Sequence, residues 1–134
     1  MSIAALEYMA NLMQSIGVPY QFMRWNSGQP PDSVETETLP DCYFVGEYIE
    51  TDSTTKEEDG HQESTFILRG FTRKTWMLLE EAKEKIEHAV PKTAILDNGS
   101  GIAVFYGSTT VVPTGEMELK SIKINLTIQE WKVN

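Results

Sequence analysis

The sequence predicts an α+β domain in which a mainly antiparallel β-sheet carries two α-helices. Three observations predict this class. Apolar residues recur at helical spacing in two separated stretches, and several other stretches alternate between apolar and polar residues as strands do. Consecutive strands are joined by turns, and the two helices are separated in the sequence. The predicted order is α-β-β-β-α-(β)-β-β, and the length of 134 residues predicts a single domain, 1–134.

The first helix is predicted to begin after Ser2, whose side chain can cap it, and to end at Gly17, a suitable left-handed C-cap. Pro19 then prevents its continuation. Tyr20–Trp25 is predicted as a short strand. Residues 26–40 contain three prolines among polar residues, which predicts a loop that is long for a compact domain and therefore either functional or mobile.

Asp41–Thr51 carries apolar residues on both faces, which is typical of a strand in the middle of a sheet. Residues 52–63 include no apolar residue and are predicted to form a mobile polar hairpin loop. The chain then returns as a strand, Ser64–Phe71. Thr72 is predicted to cap the second helix, and Pro91 ends that helix.

The last third of the chain is predicted to be strands and turns. Thr93–Leu96 forms a short strand, and residues 97–101 form a turn with two glycines. Ile102–Tyr106 is apolar and β-prone. The proline and glycine within Val112–Gly115 fit a type I turn, which leads into a final strand that begins at Leu119.

The final strand raises a question at its end. Residues 121–128 alternate cleanly, but Glu130 then falls at an apolar position and Trp131 at a polar one. In one interpretation, Trp131 covers the helix side of the sheet. In the other, Trp131 is an exposed anchor for a neighbouring chain, since tryptophan is enriched at the centres of interfaces.

The net charge of -9 comes from one segment. Residues 32–63 contain eleven acids and one base, whereas the rest of the chain is nearly balanced. Such a field excludes general binding to nucleic acid. The acids either keep loops solvated or form a repulsive surface. The acidic cluster Glu57, Glu58 and Asp59 does not follow the order of an EF-hand loop, so no calcium site is predicted.

The sequence contains no catalytic or metal-binding signature. The single cysteine, Cys42, cannot form an internal disulfide and is predicted to be buried as a small hydrophobe. His61 and His88 are predicted to be solvated surface residues. No signal peptide and no transmembrane helix is predicted, so we expect a soluble protein made in a reducing compartment. We predict no enzymatic activity and no cofactor.

The pattern as a whole resembles one known family. The N-terminal helix is followed by "VPYQF", then by the strand "CYFVGEYIE" and the polar hairpin. The chain continues through "STFILRGFTRKTWMLLEEAKEKI" and "DNGSGIAVFYG" to "ELKSIKINLTIQEWKV". Over nearly its full length, this order resembles the tail terminator, or tail-to-head joining, proteins of long-tailed bacteriophages and their prophage-encoded "minor capsid" relatives. It is most similar to the joining proteins of siphophages of Bacillus-like hosts.

The resemblance implies a structural subunit that is monomeric or weakly associating before it assembles into a hexameric ring. The ring would cap the tail tube and then dock onto the head connector. Its partners would be further copies of the chain, the tail tube protein and the head connector protein. Phage DNA would pass through without specific binding, and no membrane would be involved. The protein would lie at the head–tail interface of the virion, after assembly in the host cytoplasm.

This interpretation gives candidate residues. Glu57, Glu58 and Asp59 are candidates for the lumen of the ring, whose acidic wall would repel DNA phosphates. Trp25 and Trp131 are candidates for subunit interfaces. Two alternatives stay open: a small-ligand-binding or enzymatic α+β domain with a pocket between helix and sheet, and an interaction adaptor unrelated to phages.

Overall fold

The computed structural model describes residues 1–23, 40–50 and 62–132. These residues form two α-helices and six β-strands in the predicted order. The elements are α1 (Ile3–Ser15), β1 (Tyr20–Phe22), β2 (Cys42–Glu50), β3 (Gln62–Thr72), α2 (Trp76–Ala89), β4 (Lys92–Ile95), β5 (Gly101–Val112) and β6 (Lys120–Trp131). Neither helix is long and apolar enough to cross a membrane.

The strands form one six-stranded sheet in the order β1-β2-β3-β6-β5-β4. Four neighbouring pairs are antiparallel, as predicted, but β1 runs parallel to β2, so the sheet is mixed. The pattern of a strand does not encode the direction of its neighbour, and turn residues alone suggested an antiparallel meander. β2 has a neighbour on each side, so Cys42–Glu50 is an interior strand as predicted, although the middle of the sheet is the β3–β6 pair.

Both helices pack on the same face of the sheet, which we call the helix face. The buried core lies between the two helices and the sheet. Its largest fully buried side chains are Phe44, Phe66, Met9, Met13, Leu68, Leu79, Ile86, Ile102, Ile122, Ile124, Leu126 and Ile128. Since side chains alternate along a strand, residues of even number in β2, β3 and β6 point to the helix face. The odd-numbered residues of these strands point to the other side, which we call the open face.

The ends of α1 are as predicted. The Ala5 amide donates to the Ser2 hydroxyl at 3.1 Å, so Ser2 is the N-cap. Gly17 adopts a left-handed conformation with φ 76°, and its amide donates to the Gln14 carbonyl. Glycine suits this position because it has no Cβ to collide with the carbonyl oxygen.

The start of α2 differs from the prediction. Thr72 belongs to β3, where its hydroxyl donates to the Asp41 carbonyl at 2.6 Å and accepts from the Lys74 amide at 3.0 Å. Thr75 is the N-cap residue, although its side chain makes no capping hydrogen bond. Thr72 therefore ties the end of β3 to the start of β2, and the helix begins later than the sequence predicts.

Two strands are longer than predicted. β5 continues past Tyr106 to Val112, and a bulge at Gly107 interrupts its register with β6. A Cβ atom at Gly107 would lie 2.7 Å from the Asn125 carbonyl oxygen, so the bulge needs glycine. β3 begins at Gln62, within the predicted polar loop.

Several predictions fall outside the described residues. These are the strand residues Arg24 and Trp25, most of the loop at 26–40, and residues 52–61 of the polar loop with Glu57, Glu58 and Asp59.

Candidate assembly surface

No described element covers the open face of the sheet. Its exposed or half-buried side chains mix aromatic, aliphatic and polar groups. They include Tyr43, Val45, Glu47, Ile49, Thr65, Arg69, Phe71, Phe105, Thr110, Lys123, Asn125, Thr127, Gln129 and Trp131. Ile49 remains 59% exposed and Ile95, on β4, 65% exposed. Ile49, Phe105 and Ile95 are therefore exposed apolar side chains spread across this face, and exposed apolar groups on an uncovered sheet face make it a candidate surface for meeting another protein.

Charged groups on the β2–β3 part of the open face are paired within the chain. Arg69 Nε lies 2.8 Å from Glu47 Oε1. Beside this ion pair, the rings of Tyr43 and Phe71 stack with their centroids 5.5 Å apart. The pairing of charges lets the aromatic groups face a partner without a nearby unbalanced charge.

Trp131 lies on the open face, at the end of β6. It is directly opposite Gly101 of β5, and a Cβ atom on Gly101 would be 2.3 Å from Cε2 of the indole ring. The ring therefore lies flat over the glycine, which leaves Trp131 half-buried. The interpretation in which Trp131 covers the helix side is wrong. Gly101 is the first residue of β5, whereas the sequence predicts it as part of the turn 97–101, so this close approach was not foreseen.

Glu130 shows why the alternation of β6 breaks in the sequence but not in the structure. Its side chain points to the helix face and is only 8% exposed. The Ser2 hydroxyl donates to Glu130 Oε1 at 2.6 Å, and the Ser2 amide lies 3.4 Å from Oε2. The carboxylate thus accepts hydrogen bonds from Ser2, the N-cap of α1. Glu130 takes a core position because the helix N-terminus supplies it with donors.

A surface depression of about 420 Å³ lies between the start of α2 and the β5–β6 hairpin. Trp76, Val111 and Met117 contribute apolar side chains to it, and Met117 is fully exposed. Glu116 also lines this depression, and its carboxylate forms an ion pair of 2.7 Å with Arg73. A second depression, of about 300 Å³, is lined by Ala10, Gln14, Val18, Pro19 and Tyr20.

The titratable candidates lie apart from one another. Burial raises the pKa of the Cys42 thiol to about 11, with a further contribution from Glu81; Cys42 is half-buried, less than the full burial that the sequence predicts. Burial also raises the pKa of Tyr20. His88 is exposed in the last turn of α2, and His61 lies outside the described residues. Within the described ranges no three potential metal ligands cluster.

Of the five candidate residues from the sequence, the structure describes only Trp131. It brings Trp131 close to Ile95, since both are register partners of Gly101 on the open face. What the described residues bring together is a set of aromatic and apolar contact groups on a rigid sheet. Such groups supply binding energy between macromolecules by excluding water.

The comparisons with known proteins find likenesses in structure but none in sequence. No family model matches the sequence, and no curated protein matches it. A solved chain from the virion of a native gene transfer agent (GTA) particle has a similar fold, with a TM-score of 0.62 and 11% sequence identity. The likeness covers 97% of this chain and 95% of the other. At this identity the likeness shows a shared fold over almost the whole of both chains.

Proposed function

We propose that this protein is a structural virion component that forms a ring, caps the tail tube and joins the tail to the head connector. The observation that carries the proposal is the full-length likeness to a chain of a gene transfer agent virion. The order of elements and the sequence strings that resemble tail terminator proteins support the same role. The role requires contact surfaces, and the open face offers one.

Disruption of the gene in the phage or prophage that carries it tests this role. We expect lysates to contain filled heads and separate tails of uneven length, because nothing ends tube growth or joins the two parts. Expression of the intact chain from a plasmid should restore joined particles. Normal particles in its absence would contradict the proposal. Loss of a small-molecule conversion with normal particles would favour the enzymatic alternative.

We further propose that Trp131 contributes to a contact in the assembled ring. Its indole ring packs over Gly101 and is half-buried, so its position is largely set before docking and little side-chain entropy is lost. Ile95 extends the same apolar surface across β5. A map of the assembled ring should show this part of the open face against a neighbouring chain or the tube. Solvent around Trp131 in such a map would contradict this assignment.

The acidic cluster Glu57, Glu58 and Asp59 is proposed to face the lumen, because the charge imbalance of the chain is confined to its segment. Replacement of all three residues by lysine should slow DNA ejection, since a basic wall binds the phosphates that must slide past it. The measurement is the rate of DNA release from purified particles at low and high salt. As a control, replacement by glutamine (Glu57 and Glu58) and asparagine (Asp59) removes the negative charge without adding a positive charge that binds phosphates. If the lysine variant forms rings and ejects DNA at the normal rate, the lumen assignment fails.

A further inference from the structure

The second half of β5, residues 105–112, is an open edge of the sheet. β4 pairs only with Gly101–Val104 of β5, and no other described strand lies along the rest. Along an open edge, every second residue presents its N–H and C=O groups to the outside. Such an edge is a template for a further strand.

This edge lacks the protection that the other edges have. β1 is three residues long, and β4 is four residues long and begins with Lys92. Short or charged edge strands resist pairing with other chains. Residues 105–112, in contrast, read FYGSTTVV and contain neither a charge nor a proline. Most of them are exposed.

We propose that the open edge of β5 pairs with the same edge of a second copy of this chain, so that the protein outside a virion is a two-fold dimer. The structure selects the register of this pairing. Residues directly opposite in an antiparallel pair must point to the same face. Beyond the bulge, Ser108, Thr110 and Val112 point to the open face, while Thr109 and Val111 point to the helix face.

Any two-fold axis through a single residue satisfies this condition, and the axis at Thr110 is the one that pairs all of residues 108–112. Thr110 then faces its own copy, Ser108 faces Val112, and Thr109 faces Val111. Pairs of β-branched residues and of hydroxyl residues are favourable across antiparallel strands. The bulge at Gly107 limits the paired segment at one end, and Pro113, which has no N–H group, limits it at the other.

The same register brings opposite charges together at both ends of the contact. In this pairing the second copy leads past its Pro113 into its hairpin loop, residues 113–119, on the side of β5 where Lys92 lies opposite Val104. The hairpin tip of one copy, with the exposed Glu118 and with Glu116 already paired to Arg73 of its own chain, therefore approaches the exposed Lys92 of the other. Because the axis is two-fold, each contact occurs twice. This complementarity favours a second copy of the chain over an unrelated strand as the occupant.

The inference does not rest on the proposed function, and it departs from the monomer that the family resemblance implies. The test is the mass of the purified full-length chain by light scattering over a range of concentrations. We expect twice the chain mass of 15.1 kDa at high concentration. Thr110→Lys should lower the mass to that of one chain, because it sets two ammonium groups opposite each other. Circular dichroism establishes that the variant is folded.

Thr93→Lys is the matched control. Thr93 is also an exposed threonine on the open face, but it lies in β4 outside the paired segment. The Thr93→Lys variant should therefore still have the mass of a dimer. In a Cys42→Ser background, Thr110→Cys should form a disulfide-linked dimer on mild oxidation, whereas Thr93→Cys should not. A monomer at every concentration, a mass that Thr110→Lys leaves unchanged, or no cross-link through Thr110→Cys would each overturn the proposal.

Discussion

Gly70→Ala is expected to lower the free energy of unfolding by about 1–3 kcal/mol, because it overpacks the core. Gly70 lies opposite Phe44 on the helix face, and a Cβ atom there would be 2.4 Å from Cε2 of the phenyl ring. The ring is fully buried, and protein cores pack at nearly crystalline density. The measurement is chemical denaturation of the wild type and the variant under the same conditions.

Phe44→Leu provides the control for this prediction. Leucine is shorter than phenylalanine and lacks the ring atoms that approach Gly70 most closely. In the Phe44→Leu background, Gly70→Ala should therefore cost less, with a coupling of about 0.5–3 kcal/mol between the two sites. If the destabilisations caused by Gly70→Ala and Phe44→Leu are additive, the Phe44 ring is not what excludes a side chain at residue 70.

Ser2→Ala is expected to destabilise the protein by about 1–3 kcal/mol, because one hydroxyl serves two groups. It accepts the Ala5 amide as the cap of α1 and donates to the buried carboxylate of Glu130. Without it, the donor left to Glu130 among the described side-chain hydrogen bonds is the Ser2 amide, which is 3.4 Å away. Thermal unfolding at neutral pH measures the loss.

Two variants separate the contributions of this site. Ser2→Thr keeps the hydroxyl and should be close to the wild type. Glu130→Leu removes the buried acceptor, so Ser2→Ala should cost less in that background, with only the cap to lose. If Ser2→Ala costs the same with Glu130 and with leucine at that position, the bond between Ser2 and Glu130 does not stabilise the fold.

The elements that the sequence predicted best are those set by local chemistry. Ser2, Gly17 and Pro19 mark the bounds of α1 through backbone preferences that need no partner. Alternation located the strands, because a half-buried strand shows its two faces in its residues. Strand lengths were less well predicted. β5 continues through Ser108, Thr109 and Thr110, whose polarity hides a strand that is exposed on both faces.

What the sequence could not predict depends on residues far apart in the chain. The break at Glu130 is explained by Ser2, and the position of Trp131 by Gly101. Neither partner is a neighbour in sequence. The parallel β1–β2 pair likewise depends on the path of the chain between the two strands. A pattern within one strand contains no information on such pairings.

The candidate surface was predicted only in part. Trp131 was singled out as a possible anchor because of its residue type. The surface around it, with Ile95 beside Gly101, depends on the register of three strands. The open edge of β5 was not foreseen, since it follows from the shortness of β4 and from the order of strands in the sheet.

Cryo-electron microscopy of the purified protein mixed with purified tail tubes tests the central claim most directly. We predict a ring of this fold seated at one end of each tube, with no further tube growth at that end when tube protein is added. The contradicting result is tubes whose ends stay bare and continue to grow while the folded protein remains free in solution.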